Sequence, residues 1–175
     1  SPTQIYGGGT NWVRFATSGD GAMQAIKTDG TLWGWGRGGF AFNSPTNVAR
    51  SSPTQMPGTT WSQVSSSYSS VWATKTDGTL WAWGNNPDGQ LGQNNRTQYS
   101  SPVQIPGTTW DVPRAGFNFC FFRTTGNALF AVGKGSKGQR GDNSTNSISS
   151  PVIIGSGAWS DVGGGYNTSF GIRDW

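Results

Sequence analysis

Four tryptophans recur at a single spacing along this chain, and that period constrains the fold more than any other feature. The four positions, each 49 residues from the next, are Trp12, Trp61, Trp110 and Trp159. A period of about 20 to 50 residues is typical of repeat architectures, in which each copy buries its apolar face only against neighbouring copies. The 175 residues therefore predict a row of about three and a half similar units.

Two further markers repeat with nearly the same period. A Ser-Pro pair opens a short strand-like run at Ser1, Ser52, Ser101 and Ser150. A turn followed by Leu-Trp-x-Trp-Gly occupies residues 28–36 and 76–84, with a weaker copy at 125–133. Asp-Gly between two strand-like runs indicates a β-hairpin, because glycine adopts the positive φ that the reversal requires. Each copy therefore contains a hairpin.

The size of the repeat predicts four strands in each unit. About 49 residues accommodate four strands of about five residues with their turns, which is the size of a propeller blade. The two-residue period of a strand places Trp81 and Trp83 on one face of the blade and Leu80 and Ala82 on the other. Proline lacks the donor that a central strand needs, so the Ser-Pro strand is expected at the outer edge. The predicted fold is an all-β propeller of four-stranded blades.

These motifs resemble the regulator of chromosome condensation repeat family. Its units carry Trp-x-x-Val, Asp-Gly-x-Leu-Trp-x-Trp-Gly, Gly-x-Asn-x-x-Gly-Gln-Leu-Gly and Ser-Pro-x-x-Ile. The middle copy fits best, through Trp61, Val64 and the loop at 84–92. The third copy has Gly135 where the pattern has Asn and Arg140 where it has Leu, and the first loop lacks the Gly-Gln-Leu-Gly part. The resemblance implies a propeller, typically of seven blades, that serves as a rigid binding platform.

We predict one repeat domain over residues 1–175, with blade-like units at about 6–56, 57–105 and 106–154 and a partial unit at 155–175. Three and a half blades leave sheet faces and strand edges open, so we expect other blades to complete the ring. These blades belong to a longer protein or to a second identical chain, and the absence of an initial Met fits a processed chain or a portion of a longer one. Alternatively, the strand Ser1 to Ile5 pairs with the last half blade and closes a smaller ring.

The composition argues against catalysis. Histidine and glutamate are absent, which removes the usual general base and the commonest metal ligand. Asp29 and Asp77 precede glycine in hairpins, where aspartate commonly caps its own turn. The single cysteine, Cys120, lies among phenylalanines and is expected to be a buried apolar side chain. We predict no catalytic residue, no metal and no cofactor. We expect the chain to be a binding protein and not an enzyme.

The charge pattern limits the class of partner. The basic residues behind the net charge of +4 are scattered along the chain, which does not favour nucleic acid as a partner. The sequence also has no apolar stretch of about 18 residues that would insert into a membrane. A protein or glycan is the expected partner. Low charge with abundant Ser, Thr, Asn and Gly favours an extracellular or virion-surface assembly, with a cytoplasmic location as the alternative. Exchange-type regulation of a small GTPase and lectin-like carbohydrate binding are the alternative functions.

Candidate partner-binding residues lie in the three loops that follow the Leu-Trp-x-Trp-Gly strand or its weaker copy, because variable loops on a repeated scaffold usually carry specificity. They are Arg37, Phe40 and Phe42 in the first copy, Asn85 and Asn86 in the second, and Lys134, Lys137 and Arg140 in the third. A cation beside aromatic residues is favoured at interfaces, although the phenylalanines could instead pack beneath their own loop. The third loop is not a phosphate-binding loop, because Gln139 and Arg140 occupy positions that require Lys and Ser or Thr.

Overall fold

The computed structural model describes residues 9–37 and 48–173, which form 14 β-strands and contain no helix. The first sheet contains β1 (Trp12–Thr17), β2 (Ala22–Lys27), β3 (Leu32–Gly36) and β4 (Arg50–Gln55). The second contains β5 (Trp61–Ser67), β6 (Ser70–Lys75), β7 (Leu80–Gly84) and β8 (Tyr99–Ile105). The third contains β9 (Trp110–Gly116), β10 (Phe119–Thr124), β11 (Leu129–Gly133) and β12 (Ile148–Gly155). The last pairs β13 (Trp159–Gly164) with β14 (Ser169–Arg173).

Each four-stranded sheet is an antiparallel meander in which the strands follow one another in chain order. The repeat tryptophan begins the first strand, and the Ser-Pro strand is the last. Pro53, Pro102 and Pro151 therefore lie in the edge strands β4, β8 and β12, as predicted, where a missing backbone donor costs no central ladder bond. The predicted all-β fold of four-stranded blades is confirmed. The proposed pairing of Ser1 to Ile5 lies outside the described residues.

Neighbouring sheets pack face to face. Trp83, Val71 and Ala73 of the second sheet share a buried cluster with Ile26 and Leu32 of the first sheet. Leu80 and Ala82, on the opposite face of the second sheet, belong to the next cluster, together with Cys120 and Phe122 of the third sheet. The expected division between the faces of Leu-Trp-x-Trp-Gly is therefore confirmed. Each blade completes the core of the blade before it.

The first strands of successive sheets, β1, β5, β9 and β13, lie next to one another, so the blades converge there and the Ser-Pro strands lie outermost. Trp72 and Trp83 are fully buried between blades. The indole N–H of Trp72 donates to the Gln90 carbonyl oxygen at 3.0 Å, which satisfies its buried donor. Burial of a large aromatic side chain stabilises a fold by about 2 to 3 kcal/mol, so these contacts are the main source of stability.

The chain crosses from one blade to the next directly over the hairpin glycine of the blade that it leaves. The backbone N–H of Trp61 donates to the Gly30 carbonyl oxygen, and that of Trp110 to the Gly78 carbonyl oxygen, both at 3.0 Å. Gly78 has a φ of +78°, and a Cβ at this position would lie 2.2 Å from the Thr108 carbonyl oxygen. The Asp-Gly pair therefore serves both the hairpin and the junction between blades.

We expect Gly78→Ala to destabilise the chain by more than about 2 kcal/mol, because a positive φ alone costs a residue with a Cβ about 1 to 2 kcal/mol and the backbone clash adds to it. Gly138→Ala is the matched control. Gly138 has a φ of +69° with nothing within 4 Å of a built Cβ, so only the conformational cost applies. Urea denaturation followed by tryptophan fluorescence measures both variants, and equal midpoints would contradict the role given to the Thr108 contact.

Candidate binding site

The strand order brings two kinds of loop to one end of the blades. Because the strands alternate in direction, the turn between the first and second strands of each sheet lies at the same end as the loop after the third strand. We call this end the upper face. The Asp-Gly hairpins and the blade connections lie at the opposite end. The second and third loops that contain predicted partner-binding residues therefore lie at the upper face, and Arg37, which follows β3, lies there as well.

A row of aromatic side chains lies on the upper face, in the turns between the first two strands of successive blades. Tyr68, Phe117 and Tyr166 occupy the same position in three turns and follow the 49-residue period, whereas the first blade has Gly19 there. We call these three side chains the aromatic row. No local motif marks these three residues in the sequence, and only their 49-residue spacing, which equals that of the repeat tryptophans, distinguishes them.

The rings of the aromatic row contact one another across the blade boundaries. The centroids of Tyr68 and Phe117 lie 5.5 Å apart at 64°, and those of Phe117 and Tyr166 lie 4.2 Å apart and are stacked. Tyr68 is 48% exposed and Tyr166 is 63% exposed. Two exposed rings, joined by the partly buried Phe117, therefore cross three blades, and exposed apolar surface of this kind is typical of interaction sites.

Lys134 joins the predicted loop residues to the aromatic row. Its Nζ lies 5.0 Å from the ring centroid of Phe117 and 5.7 Å from that of Tyr166, within the range of cation–π attraction. Its backbone N–H donates to the Asn118 carbonyl oxygen, which fixes the start of the third loop beside the row. The structure thus brings one predicted residue into contact with the row.

Three other predicted residues lie near the same end of the blades. Arg37 and Lys137 are exposed, and Asn85 is partly exposed, while its backbone N–H donates to the Ser69 carbonyl oxygen at 2.8 Å. Their role as partner-binding residues stays a prediction. Phe40 and Phe42 lie outside the described residues.

Asn86 and Arg140 are buried and act within their own loops. The Asn86 amide donates to the carbonyl oxygens of Asn95 and Thr97 and accepts from the Leu91 N–H. The Arg140 guanidinium is fully buried, and it donates to Asp142 at 2.6 Å and to the Gly133 carbonyl oxygen at 2.8 Å. These side chains hold the loops in place and are not exposed to a partner in this structure.

The two substitutions in the third loop compensate for each other. Gly135 replaces the Asn86 of the second loop, and Arg140 replaces Leu91. A Cβ at Gly135 would lie 2.0 Å from Nη1 of Arg140, so the guanidinium fills the space that the asparagine side chain takes in the second blade. The loop keeps a satisfied polar centre by a different pair of side chains.

Two aspartates on the upper face connect neighbouring blades. Asp20 accepts hydrogen bonds from Ser18 and, across the boundary, from Ser69 at 2.7 Å. Asp88 accepts from the side chain of Asn118 at 3.0 Å and is a second link of this kind. These bonds fix the turns that carry Tyr68 and Phe117 of the aromatic row.

The Cys120 thiol lies in the core, and the Asp29 and Asp77 carboxylates lie in turns. Within 9–37 and 48–173, no three Cys or Asp side chains converge to hold a metal ion, and no helix is long and apolar enough to cross a membrane. Cys120 is fully buried, and burial raises the pKa of its thiol well above the ordinary value, so it is not a ready nucleophile. Asp29 and Asp77 each cap their own turn, as predicted.

The Asp77 turn is a small hydrogen-bonded network. The hydroxyl of Thr79 donates to Asp77 at 2.7 Å and accepts from the indole N–H of Trp81 at 2.9 Å. The hydroxyl bond, followed by the backbone N–H of Thr79, holds the pKa of Asp77 below its ordinary value. A lowered pKa stabilises the fold above the ordinary pKa of aspartate, about 3.9, and this contribution is lost as the pH falls through the lowered value.

We expect Thr79→Val to raise the pKa of Asp77 toward the ordinary value, because the strongest donor to the carboxylate is removed. Carboxyl-detected NMR titration measures this pKa. Asp29, which has the same arrangement with Thr31, is the internal control and should keep its lowered pKa. An unchanged pKa at Asp77 would show that the hydroxyl bond is not its cause.

Antiparallel four-stranded sheets that pack face to face, with their loops at two ends, place this chain in the β-propeller class. One segment of the repeat region matches a known repeat model. Residues 77–110 match the model of the regulator of chromosome condensation (RCC1) repeat. This segment includes the loop at 84–92 of the middle copy, and the resemblance is confirmed. No curated protein sequence matches the chain.

Solved propellers share the fold at low sequence identity. The human WBSCR16 structure has a TM-score of 0.87 and 22% identity, covering 100% of this chain and 48% of that one. Prp20p from Saccharomyces cerevisiae, described with its binding to Gsp1p and histones, has a TM-score of 0.75 and 14% identity, covering 89% and 42%. Yeast RCC1 (Prp20) bound to Kap60 has a TM-score of 0.68 and 18% identity, covering 89% and 38%. The chain thus spans less than half of each of these three structures.

Proposed function

We propose that this chain is a non-enzymatic RCC1-type propeller module that binds a protein partner through its upper face. The aromatic row carries the proposal. Tyr68 and Tyr166 are exposed, the partly buried Phe117 lies in contact with both, and Lys134 adds a cation at its side. Aromatic residues are enriched at the centres of protein interfaces because they bury much area at little entropic cost.

The geometry of the row favours a protein over a glycan. A sugar stacks on a flat, open ring face, whereas Phe117 and Tyr166 cover part of each other and Tyr68 stands nearly edge-on to Phe117. An uneven aromatic strip is matched better by several apolar side chains of a protein. The yeast propeller Prp20p, described with its binding to Gsp1p and histones, has protein partners, which fits this class of ligand.

A binding role without catalysis is supported by the chemistry of the described residues. Asp29 and Asp77 have lowered pKa values and cap turns, and the Cys120 thiol is buried. We propose a cytoplasmic location, the alternative weighed above, because histones, which the similar yeast propeller binds, are intracellular proteins. The fold gives no support to an extracellular or virion-surface location, and exchange-type regulation of a GTPase rests on the resemblance alone.

We expect Tyr68→Ala combined with Tyr166→Ala to weaken partner binding about tenfold or more, since truncation of central aromatic residues commonly costs that much. Gly19 shows that the turn tolerates a small residue at this position. Immobilised chains are compared by quantitative mass spectrometry of the proteins that they retain from extracts of the source cells. The retained protein is then purified and its Kd is measured by calorimetry.

Ile153→Ala is the matched control, because Ile153 is 56% exposed on the outer strand β12, away from the row. If partner binding were unchanged in the double variant but weaker in Ile153→Ala, the binding site would lie outside the upper face. Turnover of a substrate by the purified chain would contradict the non-enzymatic part of the proposal.

We also propose that further propeller blades cover the outer faces of the first and last sheets. Phe170 is 68% exposed and Ile172 is 56% exposed on β14, while Phe15 is 54% exposed on β1. Phe121, at the position of Phe170 one blade earlier, is buried against the next sheet. The exposed end residues therefore occupy positions that the repeat uses for contacts between blades, and a second copy or a longer chain would supply the cover.

For the chain alone, we expect light scattering to give about twice the monomer mass of 18.6 kDa, because each copy offers both kinds of open face. Phe170→Asp is expected to return the mass to that of a monomer, since burial of an unpaired charge opposes the contact. Ile153→Asp, exposed to a similar extent on an outer strand, is the control. A monomer at all concentrations that binds no hydrophobic dye would show that the ends need no cover.

A further inference from the structure

A cleft recurs beside the repeat tryptophan of successive blades, away from the aromatic row. In the second blade it is lined by Trp61, Trp81 and Pro102, and in the third by Trp110, Phe130 and Pro151. The cleft beside Trp110 has a volume of about 350 Å³ and is bordered also by Gly92 and Asn94 of the second blade. Repetition of the cleft allows one copy to be compared with another.

In the first two blades the chain's own lysine lies over two aromatic rings, and in the second blade it lines the cleft. Lys75 pairs with Trp61 across strands β5 and β6, and its Nζ lies 4.9 Å from the Trp61 ring centroid and 4.2 Å from that of Trp81. Lys27 lies over Trp12 at 4.6 Å and over Trp33 at 4.5 Å. Both ammonium groups are held by cation–π attraction to two rings.

The last sheet keeps a cation at the same position. Arg173 pairs with Trp159 across β13 and β14, and its guanidinium carbon lies 6.0 Å from the indole centroid. A cation beside the repeat tryptophan is therefore present in three of the four sheets, with either of the two long basic side chains.

The third blade departs from this arrangement. Thr124 pairs with Trp110 where the other sheets have Lys or Arg. Its hydroxyl accepts from the backbone N–H of Ala128 at 3.1 Å, so it is turned to the hairpin. The rings of Trp110 and Phe130 still stand edge to face, with centroids 5.2 Å apart. Among the described residues, no cation lies over either ring.

We propose that the cleft beside Trp110 binds an alkylammonium group supplied from outside the chain. The equivalent clefts show the occupant, since the chain itself places an ammonium over two aromatic rings in the first and second blades. Aromatic rings attract lysine and quaternary ammonium groups in the same way. Lysine side chains of a protein, methylated or not, and small free ammonium compounds share this chemistry. The site is separate from the upper face and does not depend on the proposed function.

The test follows the indole N–H signals of the ¹⁵N-labelled chain during titration. Trp110→Phe identifies the Trp110 signal. The probes are tetramethylammonium chloride, Nα-acetyl-lysine amide and its trimethylated form, with 3,3-dimethylbutan-1-ol as the neutral isostere of a quaternary ammonium compound and sodium chloride at matched ionic strength. We expect a saturable shift of Trp110 with a Kd on the order of millimolar for the cations and no saturable shift with the alcohol.

Thr124→Lys supplies the lysine that the other blades contain, and it is expected to weaken probe binding at least about tenfold while the other indole signals stay in place. Thr124→Ser keeps the hydroxyl bond and should leave binding unchanged. The reciprocal variant Lys75→Thr should open a second site, seen as a new saturable shift of Trp61. This variant decides the matter even if Thr124→Lys disturbs the β10–β11 hairpin.

Stronger binding of the lysine derivatives than of tetramethylammonium would identify a protein side chain as the occupant, and equal binding would identify a small ammonium compound. Equal saturation by the neutral alcohol would overturn the proposal, because the cleft would then be only apolar. Unchanged binding in Thr124→Lys together with no new site in Lys75→Thr would overturn it as well.

Discussion

The contact between the tryptophan-bearing face of one sheet and the small-residue face of the sheet before it holds the whole row of blades together. Trp83 reaches the first sheet, and Ala82, its neighbour in β7, faces the third. A strand alternates its faces residue by residue, so one strand supplies both halves of this contact. In the part of the chain that the structure describes, each buried cluster combines residues of two neighbouring sheets, so each repeat depends on another for its core. The exposed residues at the two ends follow directly from this dependence.

Because the faces between blades carry the stability, the loops at the ends of the strands are free to differ. The second and third loops, which follow β7 and β11, differ in the side chains that hold them in place. Asn86 and Leu91 hold the second loop in place. In the third loop, Gly135 leaves room for a buried Arg140 that pairs with Asp142. The strands before the two loops nevertheless keep the same register. The first-to-second-strand turns vary in the same way, from Gly19 to a ring of the aromatic row. A constant frame with variable ends is the physical basis for a binding surface.

The fold could be predicted from the sequence because its determinants are local and repeated. The Trp spacing, the Asp-Gly turn and the Ser-Pro edge strand each report a contact that recurs in every blade. The site could not be predicted to the same extent, because loop side chains are arranged by contacts between blades. The sequence predicts a surface position for Arg140. In the structure its guanidinium is buried, because Gly135 has no side chain and leaves space for it. Tyr68 and Tyr166 have no local motif, and only their spacing and neighbours reveal the aromatic row.

The repeat also provides an internal standard for what a position does. Three of the sheets place a cation beside the repeat tryptophan, namely Lys27, Lys75 and Arg173. The position therefore favours a cation. Thr124 breaks that preference without altering the aromatic pair that creates it. An aromatic cleft that has lost its own cation keeps the ring faces and the attraction they exert on positive charge. Loss of an internal ligand is therefore a simple route by which a repeat protein gains an external one, since the rest of the site is already built.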